Sequence, residues 1–186
     1  MSSIFDNFKS RLNSISSTIR GSDNNAIKKI VENEITAWQG KKETDASVQD
    51  RLAAYWGNIG VDSWTAAGTP WSGAFISYVL KNDASFTGSG LHAEYVEDVI
   101  DGVYPGWTAY NVPINTYGEH YIEVNVGDVF VKSRPGGYKA GHGDIVYKVD
   151  RQEGKAYLIG GNLGDTLEIS TLELRDGINR YTGYNN

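Results

Sequence analysis

The sequence contains no cysteine, so the chain has no disulfide framework, no thiolate metal site and no thiol nucleophile. It also has no run of lysines and arginines: 17 basic residues stand against 23 acidic ones, and the formal net charge is −6. Because such a chain offers little charge to neutralise a phosphate backbone, we expect no nucleic-acid partner.

Long apolar runs are also absent, and the N-terminus shows neither a continuous apolar core nor a small-residue cleavage site. We therefore expect synthesis in the cytoplasm without a signal peptide. If the protein acts elsewhere, something other than a standard signal peptide would have to take it there. The 186 residues, 40% of them hydrophobic and 22% charged, suit one globular domain with a sizeable core.

The first 20 residues carry an apolar stripe at helical spacing: Ile4, Phe5, Phe8, Leu12, Ile15 and Ile19. This pattern predicts an amphipathic N-terminal helix over 1–20, ahead of a domain over 21–186. Since an apolar stripe rarely stays exposed, we expect the helix to dock on the domain, on a second copy or on another partner. Membrane-surface binding and a mobile arm are the alternatives.

The rest of the chain changes character near Gly102. Before it, a hinge over 21–25 is followed by four predicted helices, which start near Asn25, Ser47, Thr69 and Leu91. After it, glycines separate four predicted strands at 126–131, 144–149, 156–159 and 166–174. Helices followed by strands with short connections predict an α+β domain in which N-terminal helices pack on a C-terminal antiparallel sheet.

Ser72 lies where the third of these helices begins. Thr69 is the predicted cap and Pro70 stands in the first turn, two residues before the serine. Apolar residues at helical spacing from Ser72, such as Phe75 and Ile76, place the hydroxyl on a buried face. Because the first-turn N–H groups have no partner within the helix, negative charge developing beside Ser72 would be stabilised there.

A second group of polar residues marks the predicted strands. His142 and Asp144 share one face of a strand because side chains alternate along it. If the following turn is centred on Gln152, His142 lies opposite Asn162, and a shifted register places Asp144 there instead. Either arrangement clusters a histidine with groups that could orient it, and Ser72, His142 and an Asn162 or Asp144 orienter would form a nucleophilic site.

The other histidines give no metal signature. His120 stands in an irregular stretch beside two glutamates, which is typical of a solvated loop histidine. His92 and Tyr95 lie one turn apart on the fourth helix, so His92 is either a group near the cleft or an ordinary half-buried residue. No spacing of histidines and carboxylates matches a zinc site, and we expect neither metal nor cofactor.

The segment Thr69–Val79 resembles the nucleophile helix of the papain-like peptidoglycan amidases and endopeptidases, the CHAP and NlpC superfamily, in which cysteine usually stands at the position of Ser72. Gly127–Phe130, His142–Val146 and Asn162 are similar to that superfamily's Gly-Asp strand, histidine strand and polar third residue. Arg51–Trp56, the Trp71–Ser72 pair and His92 with Tyr95 add a likeness to a bacterial and phage branch in which serine replaces cysteine.

This resemblance implies a papain-like fold and hydrolysis of an amide bond in peptidoglycan. Ser72 would be the nucleophile, His142 the base, and Asn162 or Asp144 the orienter, while Trp71, His92 and Tyr95 would contact the substrate. Two other functions are compatible with the same scaffold: a non-catalytic binding or virion-structural module, and an esterase or acyltransferase.

Overall fold

The computed structural model describes residues 11–17, 21–113, 122–133, 140–174 and 180–181. Within these ranges the helices are α1 (Gly21–Trp38), a 3-10 helix (Ala46–Val48), α2 (Gln49–Asn58), α3 (Ser72–Val79) and α4 (His92–Ile100). The strands are β1 (Arg11–Ser17), β2 (Trp107–Pro113), β3 (Ile122–Glu123), β4 (Val129–Ser133), β5 (Ala140–Asp150), β6 (Lys155–Leu163), β7 (Thr166–Glu173) and β8 (Arg180–Tyr181).

Six of the strands form one antiparallel sheet in the order β2-β1-β4-β5-β6-β7, and β3 pairs with β8 separately. The helices pack on this sheet: α3 contacts β5 and β6, α4 contacts β2 and β5, and α1 contacts β5 and β7. The predicted α+β class is therefore confirmed.

Alternation along the central strands gives the sheet two apolar faces. Val129, Ile145 and Ile159 belong to the main core, which the helices cover. Phe130 and Val146 turn the other way and join a smaller cluster with Leu158 and Leu174. Since side chains alternate from face to face along a strand, adjacent buried residues such as Ile145 and Val146 show that both faces of the sheet are covered here.

The four helices predicted over residues 25–100 are present, with differences at their ends. The predicted hinge at 21–25 lies inside α1, because serine, aspartate and asparagine are well tolerated in the first turn of a helix. Thr69 does not cap α3: its hydroxyl accepts the N–H of Thr65, and Trp71 occupies the N-cap position without a side-chain cap.

The prediction of a helix over 1–20 is wrong across Arg11–Ser17, which forms β1. Serine, asparagine and isoleucine have weak helix propensity, and β1 pairs on both sides, with β2 and with β4. This part of the segment is therefore an inner strand of the domain's sheet. Residues 1–10 and 18–20 of the predicted helix lie outside the described residues, as does His120.

The four predicted strands correspond to β4, β5, β6 and β7, although the observed ends differ by a few residues. The patterns predicted no strand at β1 or β2. In the described part of the chain, no helix combines the length and the apolar character needed to cross a membrane.

Candidate active site

Ser72 is the first residue of α3, at the end that points its free N–H groups outward. The first backbone hydrogen bond of α3 joins the Phe75 N–H to the Trp71 carbonyl. Among the described residues, no backbone carbonyl accepts the N–H groups of Ser72 and Gly73. Only 6% of Ser72 is exposed. The Ser72 hydroxyl therefore stands beside two unpaired donors at the positive end of a buried helix.

Trp71 fixes this end of the helix. Its indole N–H donates to Oε2 of the buried Glu43 at 2.8 Å, and its ring stacks on Trp38 with centroids 4.6 Å apart. The Trp38 N–H donates in turn to the Tyr55 hydroxyl at 2.8 Å, and Tyr55 bonds Glu34. Since each indole has both a stacking partner and a hydrogen-bond acceptor, the backbone that carries Ser72 has little freedom to shift.

The side chain that meets Ser72 is His92. Oγ of Ser72 and Nε2 of His92 are 2.7 Å apart, and both residues are buried. His92 is the first residue of α4, so the contact joins the N-termini of two helices. No described hydrogen bond joins Ser72 to His142, the histidine that the sequence patterns assigned to it.

The other ring nitrogen of His92 bonds Tyr95. Nδ1 contacts the Tyr95 hydroxyl, and the two rings are perpendicular with centroids 5.5 Å apart. Tyr95 is fully buried, and this burial raises the pKa of its hydroxyl well above the ordinary value. Tyr95 is therefore a neutral phenol that holds its own proton.

Burial also governs the charge of His92. The surroundings of His92 lower its pKa from the ordinary value of 6.5 to about 3. Desolvation by burial is the largest cause, charge on His142 acts in the same direction, and the charge of Asp144 partly offsets both. The imidazole of His92 is consequently neutral at physiological pH, as a general base has to be before it accepts a proton.

His142 lies beside this group with a partner of its own. Its Nε2 is 2.9 Å from Oδ1 of Asp144, and an ionised carboxylate can only accept there. The rings of His142 and His92 are 6.2 Å apart between centroids. The structure therefore brings together five of the predicted site residues: Ser72, His92, Tyr95, His142 and Asp144.

Asn162 does not join them through a hydrogen bond among the described residues. Near the turn, Val149 pairs with Ala156, one residue off the register of a turn centred on Gln152. An irregularity between Val146 and Lys148 restores the predicted register, in which Asp144 pairs with Gly160, so the alternative that places Asp144 opposite Asn162 is wrong. Asn162 lies beyond the last paired position, in a left-handed conformation with φ 61°. Of the two proposed orienters, Asp144 is the one that contacts His142.

Glycines allow the two histidines to pack this closely. A Cβ atom on Gly143 would lie 2.7 Å from Nδ1 of His92, and one on Gly160 would lie 2.1 Å from Oδ1 of Asp144. In the structure the space over each of them is filled by a site side chain.

A pocket of about 440 Å³ opens beside the Ser72–His92 contact. Its walls include Trp56, Val61, Pro70 and Leu91, and its one charged lining residue is Glu94. Trp71 and Tyr95, predicted to contact substrate, do not line this pocket: Trp71 is 1% exposed and Tyr95 is fully buried. Both support the side chains that do line it, Trp71 through the backbone of Ser72 and Tyr95 through the ring of His92.

From its spacing, His92 was predicted to be either a group near the cleft or an ordinary half-buried residue, and it was not predicted to be the partner of Ser72. A usable signal was present, because Tyr95, Val96 and Val99 follow His92 at spacings of three, four and seven residues and are all buried. This spacing puts His92 on the inner face of α4. No group of three or more histidines and carboxylates that could hold a metal ion occurs in the described part of the chain.

Comparisons of the chain with protein-family models, with curated proteins and with solved structures found no match. The chemistry of the site therefore has to be argued from its own geometry.

Proposed function

We propose that the protein is an acyl-transfer hydrolase in which Ser72 is the nucleophile and His92 takes its proton. The observation that carries this proposal is the 2.7 Å contact between Oγ of Ser72 and Nε2 of His92, at the mouth of a pocket and at a helix N-terminus. A nucleophile within hydrogen-bond reach of a neutral base is the minimum arrangement for nucleophilic catalysis.

The proposed reaction starts with attack of the Ser72 oxygen on a carbonyl carbon of the substrate. The serine proton passes to Nε2 of His92, and the oxygen of the tetrahedral intermediate is stabilised by the N–H groups of Ser72 and Gly73. When the carbon–nitrogen bond breaks, the leaving amine takes that proton from His92. Water then adds to the acyl-serine with the help of the same imidazole and releases the acid.

His142 and Asp144 act next to this pair. The carboxylate holds the His142 ring 6.2 Å from that of His92, and positive charge on His142 disfavours a second proton on His92. In this proposal His142 packs beside the His92 ring and lowers its affinity for a second proton, and it does not contact Ser72.

For the substrate we propose an amide bond of bacterial peptidoglycan. The support is the likeness of Thr69–Val79, His142–Val146 and Asn162 to the papain-like peptidoglycan amidases, together with the α+β architecture. We accordingly propose a papain-like arrangement of α3 against β5 and β6, with serine in the cysteine position. Serine needs a well-placed base far more than a thiolate does, and the 2.7 Å contact puts His92 within reach of that role.

The proposal is tested by incubating purified protein with peptidoglycan and identifying released fragments by mass spectrometry. We expect soluble products with a new amine terminus from the wild type, none from Ser72→Ala, and release slowed by about 10²- to 10⁴-fold in His92→Ala. Ser63→Ala is the matched control, because Ser63 is exposed and does not line the pocket. Binding of peptidoglycan without release of fragments would overturn the hydrolase and favour a binding module.

A further inference from the structure

We propose that Tyr95 is a positioning residue that holds His92 in the tautomer with its proton on Nε2, so that the resting site donates a hydrogen bond to Ser72. The inference rests on the proposed function only for its effect on rate. Its structural content concerns three side chains in a row, Tyr95, His92 and Ser72, which are joined by two hydrogen bonds.

Each member of this row carries one mobile proton. Tyr95 is a fully buried phenol, His92 is a neutral imidazole with one N–H, and Ser72 has one hydroxyl proton. Two hydrogen bonds can be made from three protons in two consistent ways. The two arrangements differ in which hydroxyl, that of Ser72 or that of Tyr95, keeps a proton that is not used in these two hydrogen bonds.

In the first arrangement, Tyr95 donates to Nδ1 of His92, and the Nε2–H donates to Oγ of Ser72. The proton left over belongs to Ser72, which lines the pocket and can donate to water or to a ligand there. In the second arrangement, Ser72 donates to Nε2, and the Nδ1–H of His92 donates to Tyr95. The proton left over is then that of the Tyr95 hydroxyl.

The surroundings of Tyr95 decide between these arrangements. Among the described residues His92 is the one hydrogen-bond partner of the Tyr95 hydroxyl. Asp144 is near enough for its charge to raise the pKa of Tyr95, but its hydrogen bond among the described residues is with His142. A buried O–H without an acceptor disfavours the second arrangement by roughly 5- to 150-fold, so the first one is the resting state.

This resting state differs from a serine-hydrolase triad. There the orienting group is a carboxylate or amide oxygen that accepts from Nδ1 and leaves Nε2 free to take the serine proton. Tyr95 imposes the opposite tautomer. The site is therefore latched, by which we mean that His92 must change tautomer before it can act as the base for Ser72.

The tautomer can be measured without knowing the substrate. Long-range proton–nitrogen correlation spectra of the full-length, 15N-labelled protein at neutral pH distinguish a protonated ring nitrogen from a bare one, and His92→Gln identifies the His92 signals among the three histidines. We expect a bare Nδ1 and a protonated Nε2. A protonated Nδ1 would overturn the proposal.

Tyr95→Phe removes the hydroxyl and keeps the ring. We expect the preference for the proton on Nε2 to be lost, so that the Nδ1 signal of His92 moves upfield towards that of a protonated nitrogen, and we expect any hydrolytic rate to rise. A folded variant whose rate is unchanged, or falls as expected when a triad orienter is lost, would overturn the latch. A protonated Nε2 in a protein without turnover would keep this inference and defeat the proposed hydrolase, so the two failures are distinguishable.

Discussion

The two histidines of the site differ in almost every respect that matters for catalysis. His92 is buried, starts a helix, contacts Ser72 and is oriented by a phenol. His142 is partly exposed, lies on β5 and is bonded by the carboxylate of Asp144. Judged by its partner alone, His142 is the more conventional base.

The comparison shows that a catalytic base is identified first by its contact with the nucleophile and only then by the group that orients it. The spacing of His142 and Asp144, two residues apart on one strand face, can be recognised in the sequence. For this reason His142 was predicted to be the base. A base must first lie within hydrogen-bond reach of the proton it removes. In this structure His92 meets that condition at 2.7 Å.

The largest difference between the histidines should appear in the rate of hydrolysis. We predict that His92→Ala lowers the rate by about 10²- to 10⁴-fold, because it removes the proton acceptor next to Ser72. His142→Ala should lower the rate less, since it leaves the Ser72–His92 contact in place. The measurement is fragment release from peptidoglycan, with thermal unfolding as the control for folding.

Equal losses in the two variants would contradict this ranking. A larger loss in His142→Ala would identify His142, and not His92, as the base.

The next largest effect concerns acid stability. Because the pKa of His92 is about 3 in the folded protein and 6.5 ordinarily, the unfolded chain binds a proton that the folded protein refuses between these values. Stability should therefore fall as pH drops below about 6.5, by roughly 3 kcal/mol at pH 4 from this residue. The groups that face His92 are Ser72, Tyr95, His142 and Asp144.

Denaturant unfolding of His92→Gln and of the wild type between pH 7 and pH 4 checks this prediction. The variant should lose less stability over that range than the wild type. Parallel pH profiles would show that His92 takes up its proton equally well in the folded protein.

Two glycines probe the histidines separately and with a smaller effect. Gly143→Ala would push a methyl group against Nδ1 of His92, and Gly160→Ala would push one against Oδ1 of Asp144 and Nε2 of His142. We predict that each substitution costs about 1–3 kcal/mol of unfolding free energy through overpacking. Histidine resonances should report which ring moved: that of His92 in the first variant and that of His142 in the second.

Gly57→Ala is the matched control. Gly57 lies in α2, and a Cβ atom there would meet nothing within 4 Å. Alanine in this helix position should stabilise the protein slightly, by about 0.5–1 kcal/mol. Equal stability of all three variants would mean that the close approach over Gly143 and Gly160 is relieved at no cost.

Local patterns predicted much of this architecture. The period of apolar residues located α2, α3 and α4, and the alternation along β5 placed His142 and Asp144 on one face, where they meet. Contacts that depend on long-range pairing were missed. Ser72 and His92 are 20 residues apart and meet because α3 and α4 both pack on β5, which no local pattern encodes.

The strand β1 was missed for the same reason. Leu12 pairs with Val112 on one side and Lys132 on the other, so its conformation is decided by partners about a hundred residues away. Its spacing of leucine and isoleucine also fits one stripe of a helix. A spacing of three fits a helix and not the alternation of a strand, so pairing with distant strands overrides the local pattern here.

The most direct test of the central claim, that Ser72 adjoins His92, replaces the hydroxyl by a thiol. In Ser72→Cys, the helix N-terminus and a hydrogen bond from His92 both favour the thiolate. We predict that iodoacetamide reacts with this thiol well below the pH expected from a free-thiol pKa of about 8.5. Adding His92→Gln should move the alkylation profile towards that of an ordinary cysteine, and adding His142→Gln should move it less. A profile that responds to His142→Gln and ignores His92→Gln would contradict the account.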